Sequence, residues 1–185
     1  MLEILVLILA IGVILIFQSF WLSLAVLSLA VIFILPGFFA IFSGAPFIPT
    51  NKKRILKMIR LGRFKKNDIV YELGCGDGRI IRKVSSLNVK KAVGYEFSIP
   101  TYIFAKIRKF LSGSTEEILY GNFWNVDFSD ADAIICFLFA GPMARFEKEI
   151  WPKLKSGTRL ISNEFIMPGC TPAKVDGQVY LYIKR

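Results

Sequence analysis

The chain contains no histidine, and from Ile4 to Asn51 it contains no Asp, Glu, Lys or Arg. The first absence excludes Ser-His-Asp and Cys-His catalysis and removes the commonest zinc ligand. Cysteine is scarce as well. Cys75, Cys136 and Cys170 lie far apart and match no zinc spacing. An odd count without a pairing pattern indicates reduced thiols in a cytosolic compartment. The second absence concentrates the charge: 52–185 holds all 24 basic residues against 13 acidic ones, a balance of +11. Such a surface suits anionic partners, either nucleic acid or phospholipid headgroups. The 185 residues suffice for one domain of ordinary size.

Apolar residues fill the charge-free stretch from 4 to 35, interrupted only by Gly12, Gln18, Ser19, Ser23 and Ser28. As one straight helix it would extend about 48 Å, against a hydrocarbon core of about 30 Å. It must therefore tilt, break or fold back. Gln18 and Ser19 are its most polar point, so two short helices are expected, 2–17 and 20–35, closed by Pro36-Gly37. Together they form a transmembrane segment over 1–36, with a single tilted helix as the alternative. A cleaved signal peptide would have a basic start and a shorter apolar run. After a linker at 37–51 comes KKRILKMIRLGRFKK, 52–66, with eight basic residues and no acidic one. Positive charge beside a span marks the cytoplasmic side, which puts the protein in the membrane with its globular part, 52–185, facing the cytoplasm. The segment reads as an amphipathic helix capped by Thr50 or Asn51 and ended by Gly62, with Ile55, Leu56, Met58 and Ile59 on its apolar face. Three cations in its first turn oppose the helix dipole. Either the face is simply solvated, or lipid phosphates offset that placement.

From Asp68 onward, strand-like runs alternate with helical ones, as in an α/β sheet. Strands are expected at 68–73, 91–95, 116–120, 133–139 and 158–163, with helices at 78–87, 99–111 and 142–154. The stretch 121–131 is too short and polar for a helix. Lys174-Val175, a turn at Asp176-Gly177 and Gln178 to Ile183 read as a terminal hairpin.

The glycine-rich stretch VYELGCGDGRI, 70–80, joins the first strand to a helix. It lacks the Lys-Ser/Thr of a phosphate loop, and Arg79 stands where a dinucleotide fingerprint needs glycine. What remains is Gly74-x-Gly76-x-Gly78 preceded by Glu72. That pattern suits S-adenosylmethionine, whose ammonium and sulfonium make a carboxylate at the strand end useful. Glu96 closes the second strand and can accept the ribose hydroxyls. Asn122, after the third, can read the adenine edge, and Phe123 can pack on its face.

Val70 to Ile80, Gly94-Tyr95-Glu96 and the terminal hairpin resemble the seven-stranded class I methyltransferases, a Rossmann-like fold. Four further features together resemble one membrane-anchored family: the apolar N-terminus, Gly44 to Thr50, Leu73 to Ile80 with Asp77, and Phe137-Leu-Phe-Ala-Gly-Pro142. That family contains the lysine methyltransferases of the mitochondrial adenine nucleotide translocase and of the ATP synthase c subunit, with prokaryotic relatives. The resemblance covers about 44–183. It implies S-adenosylmethionine as cofactor, with Asp77 in its loop and Phe47 and Thr50 beside it, and protein-lysine N-methylation of a membrane protein near a lipid surface. The acceptor amine must arrive neutral. Phe137, Phe139 and Pro142, then Asn163, Glu164 and Phe165, offer an apolar slot in which Glu164 orients the ammonium or passes its proton to water. Nucleic acid is not expected as a partner, since Phe137 to Pro142 replaces the Asn/Asp-Pro-Pro-aromatic motif of base-amino methyltransferases. A lipid or small-molecule methyltransferase, or a non-catalytic cofactor-binding module, are the alternatives. No residue pattern specifies the oligomeric state.

Overall fold

The computed structural model describes residues 2–17, 20–43 and 50–185. They form two compact units, Met1–Phe42 and Ser43–Arg185. The first holds α1 (Leu2–Phe17) and α2 (Phe20–Ser43). Instead of stopping before Pro36-Gly37, α2 continues through both. Described side chains such as Ile8, Leu9, Phe20, Trp21 and Ile32 are exposed, and only Ala10 and Ala30 are buried. Among the described residues, however, no helix is long and apolar enough to cross a membrane, so the transmembrane segment read from the sequence is not seen. The 16 residues of α1 rise only about 24 Å.

The second unit begins with α3 (Lys52–Gly62), and Asn51 is its N-cap: Arg54 N donates to Asn51 Oδ1 at 2.9 Å. Its buried face is Ile55, Met58, Leu61 and Gly62, while Leu56, expected inside, faces solvent. Leu61 replaces it because 55, 58 and 61–62 share a stripe at helical spacing. The chain then alternates: β1 (Ile69–Leu73), α4 (Arg79–Ser85), β2 (Lys91–Glu96), α5 (Ile99–Ser112), β3 (Glu117–Tyr120), β4 (Ala133–Cys136), α6 (Ala140–Glu149), β5 (Arg159–Asn163), β6 (Lys174–Asp176) and β7 (Val179–Ile183). The seven strands form one sheet in the order β3-β2-β1-β4-β5-β7-β6, parallel from β3 to β5 and antiparallel at β7 and β6.

Period-two alternation gives the sheet two apolar faces. Val70, Ala92, Ile135 and Ile161 pack with the inward residues of α3, α4 and α5. Tyr71, Leu73, Ile134, Cys136 and Leu160 pack with Met143 and Phe146 of α6, Trp151 and Leu154. Most boundaries fall within two residues of expectation, and three of the differences have an evident cause. β4 ends at Cys136, because Phe137 leaves the sheet and Phe139 becomes the N-cap of α6. α6 stops at Glu149 and gives way to a 3-10 turn at Trp151–Lys153, where Pro152 cannot donate to an α-helical ladder. The hairpin turns at Gly177-Gln178, since Asp176 still pairs with Val179 and Gly177 takes the positive φ of 64°.

Candidate active site

Parallel strands share a direction, so the C-terminal ends Leu73, Glu96, Cys136 and Asn163 lie along one edge of the sheet. Strand order reverses at β1 and β4, where ligands of open α/β sheets bind. The loop after β1 opens there. Gly74, Gly76 and Gly78 have φ of 70°, 57° and 75°, which side chains with a Cβ rarely adopt. Between them Cys75 is buried against Gly94 of β2, where a Cβ would come within 2.6 Å of Cys75 Cβ.

Glu72 is 4 % exposed and points along the α4 face of the sheet, where its Oε2 accepts from Ile81 N at 2.9 Å. Burial pushes its carboxyl well above the ordinary range, which the Ile81 hydrogen bond only partly opposes. Glu96 accepts from Gly76 N at 2.9 Å and from Ser98 N at 2.8 Å, tying the glycine loop to the end of β2. Its pKa is also raised, by burial. Asp77 behaves in the opposite way. Burial would raise its pKa, but hydrogen bonds from Arg79, at 2.9 Å from Nε and 2.9 Å from Nη2, together with contact from Arg108, hold it below the usual value. Asp77 therefore pins the loop to α4 and α5.

Thr50 is buried, and its carbonyl accepts from Arg79 Nη1 at 3.3 Å while its Oγ1 accepts from Asn163 Nδ2 at 3.4 Å. A hydrogen-bonded thread thus runs from the end of β5 through Thr50 to the loop after β1. Asn163 is 0 % exposed, and its Oδ1 has no partner among the described residues. An orphaned buried acceptor costs about 1–3 kcal/mol unless a ligand donates to it. Glu164 sits at φ 74° with its N donating to Gln178 O, and its Oε2 accepts from Arg54 Nη1 at 2.9 Å. The phenyl ring of Phe165 meets those of Phe137 at 6.1 Å and Phe139 at 5.2 Å. Asn122 caps a 3-10 turn, accepting from Trp124 N at 3.1 Å, and Phe123 is buried in the core beneath it. Phe47 lies outside the described residues.

Sequence reasoning missed the Thr50–Asn163 thread and the Arg54 pairing. No local signal carries either one, because the partners are more than a hundred positions apart.

This sheet order, with the glycine loop at the switch point and carboxylates at the ends of β1 and β2, defines a class I methyltransferase. The model of the ANTKMT methyltransferase domain matches residues 72–174, and the chain belongs to that family. A protein-lysine N-methyltransferase of Saccharolobus islandicus is 38% identical over 149 residues, covering 75% of this chain and 92% of that one. The mouse lysine N-methyltransferase of the ATP synthase c subunit is 27% identical over 72% of this chain and 54% of its own length. A Salinibacter ruber RNA methyltransferase, solved with S-adenosyl-L-homocysteine, superposes with a TM-score of 0.69 at 25% identity, over 74% of this chain and 94% of that one. The protein is an S-adenosylmethionine-dependent methyltransferase. The residues present fit that cofactor: a glycine cradle at positive φ, with the carboxyls of Glu72 and Glu96 beside it at the ends of β1 and β2.

Proposed function

We propose that the enzyme methylates a lysine of a membrane protein, and that its N-terminal helices hold the catalytic unit at the cytoplasmic face of a bilayer. The observation that carries the lysine reading is the 38% identity to the S. islandicus protein-lysine N-methyltransferase across nearly its whole length. The cluster of Phe137, Phe139 and Phe165 beside β4 and β5 supports it. An ammonium entering an aromatic slot is first held by the ring faces and then loses its proton more readily, because desolvation lowers its pKa from about 10.4. The bound sulfonium supplies an activated methyl group. The protein's task is alignment. Asn163 Oδ1 is the unused acceptor that can take an N–H of the acceptor amine and turn its lone pair toward the methyl. Glu164, next to Phe165 of that cluster, is tied to α3 by its ion pair with Arg54 at 2.9 Å.

Membrane anchoring is supported by the charge-free stretch, by helices that expose large apolar residues, and by the basic segment that follows. Of that segment's eight cations, Arg54 pairs with Glu164, and Lys57 and Arg60 pair with Asp176. Headgroup attraction then falls on the rest, Lys52 and Lys53 foremost.

Labelled methyl donor incubated with vesicles carrying native membrane proteins tests the reading. Label is expected in protein lysines, and deleting 1–43 is expected to cut that labelling at least tenfold without changing cofactor affinity. Label in lipid or RNA would overturn the substrate assignment. Equal labelling by the truncated enzyme would overturn the anchor.

A further inference from the structure

Within the second unit, α5 has an outer face that no other described element covers. Of its 14 residues only Ala105 is buried. Phe110 is 86% and Leu111 77% exposed, and Ile99, Ile103, Phe104 and Ile107 are each about half exposed. On a helix these six fall within one stripe, opposite the side on which Ala105 packs into the sheet. Isolated apolar residues on a surface need no explanation, but a contiguous stripe of six marks an interaction surface. The helix carries Lys106, Arg108 and Lys109 and no acidic residue. Arg108 turns inward to Asp77, while Lys106 borders the stripe and Lys109 lies one step further round on the same side, its long stem within reach of the same edge.

We infer that this face of α5 is a second membrane contact, lying in the headgroup–acyl boundary of an anionic bilayer. The inference goes beyond the anchor proposed above. An apolar stripe edged by lysines, with no acid on the same helix, has the chemistry of an interfacial helix: the rings enter the acyl boundary while the lysine stems lie along it and their ammonium groups reach lipid phosphates. A second copy of the chain is the less fitting occupant. In a two-fold interface the same patch meets itself, bringing Lys106 and Lys109 against their counterparts with no carboxylate of α5 to receive them. α5 begins three residues after Glu96, at the site end of the sheet. Seating it would therefore bring the mouth of the active site to the bilayer plane, independently of the N-terminal helices.

The test uses the full chain in vesicles with and without phosphatidylglycerol, in a Cys170→Ser background, because Cys75 and Cys136 are buried. A fluorophore is placed in turn at Phe110→Cys, at Leu7→Cys on α1, and at Lys153→Cys on the opposite side of the sheet. Brominated lipid is expected to quench the labels at 7 and 110, and iodide only the label at 153. Removing phosphatidylglycerol, or introducing Lys106→Ala or Lys109→Ala, should lower the ratio of lipid-facing to water-facing label at 110, by about fivefold per lysine. A label at 110 open to iodide while that at 7 is lipid-quenched would overturn the α5 contact and leave the anchor intact. Shielding of 110 from both quenchers would mean that protein covers the face, and would overturn it too. Iodide reaching both 7 and 110 would defeat the anchor and the α5 contact together, and quenching at 110 indifferent to lipid charge would refute the anionic partner.

Discussion

Glu72, Glu96 and Asp77 are three carboxyls within a few residues of one loop, and burial acts on all three with different results. Glu72 and Glu96 meet backbone N–H groups and stay raised, whereas Asp77 meets two guanidinium groups and is lowered. As pH rises past the ordinary carboxyl range, the unfolded chain gives up the Glu72 proton while the folded one keeps it, so stability falls. Glu72→Gln removes that loss. Denaturant titrations should find it more stable than wild type at pH 8, with the gap closing near pH 5. Asp77 has the opposite sign: its contribution is present above its unfolded pKa and is lost as acid protonates it in the folded state. Cofactor affinity should rise with pH as Glu96 ionises. Calorimetry on Glu96→Gln should show a flat profile and binding weaker by about 1.5–3 kcal/mol, the loss of a charge-assisted bond. Glu72, Glu96 and the glycines were legible because a strand–loop–helix motif is local in sequence. The unpartnered Oδ1 of Asn163 was not, since satisfaction of a buried amide is settled by residues from across the fold.

At the scale of elements, close approach rather than composition decides two features. Gly94→Ala would drive a Cβ into Cys75 and should cost about 1–3 kcal/mol by overpacking, with Cys75→Gly restoring part of it in a double mutant. The second is the latch between α3 and the terminal hairpin. The Arg54 fork bridges Glu164 and Gln178 and holds a non-glycine residue at positive φ. The pair is partly exposed, so Arg54→Ala should cost only about 0.5–1 kcal/mol of stability. Turnover should fall further than stability does, and Arg54→Lys should not rescue it, because one ammonium cannot replace a planar fork. The helices and strands themselves were readable from period and turn residues. Their ends shifted where a side chain found a tertiary partner, as when Phe137 left β4 to meet Phe165. The six apolar positions of α5 are a stripe that pattern alone assigns to a core, and only the fold reveals it as an outer face.

For the molecule as a whole, the thiols offer a simple reporter. Burial pushes Cys136 up to about 12 and Cys75 well above its usual value, while Cys170 is only partly buried. A thiol reagent at pH 8 should therefore titrate one cysteine in the native protein and three in denaturant. The sheet order has another consequence, in the order of biosynthesis. β7, the last of the seven strands to be made, lies between β5 and β6, and both it and the hairpin acid Asp176 contact α3. α3 leaves the ribosome more than a hundred residues earlier, a lag of roughly 6–24 s at about 5–20 residues per second. Throughout that interval the apolar side of α3 has only part of its cover, and from the completion of β5 until β7 emerges the outer edge of β5 has no partner, which is when a nascent chain most needs a chaperone or a protective surface. A ribosome stalled before Val179 holds a sheet that cannot close, so premature stops at the start of β7 should yield protein destined for proteolysis.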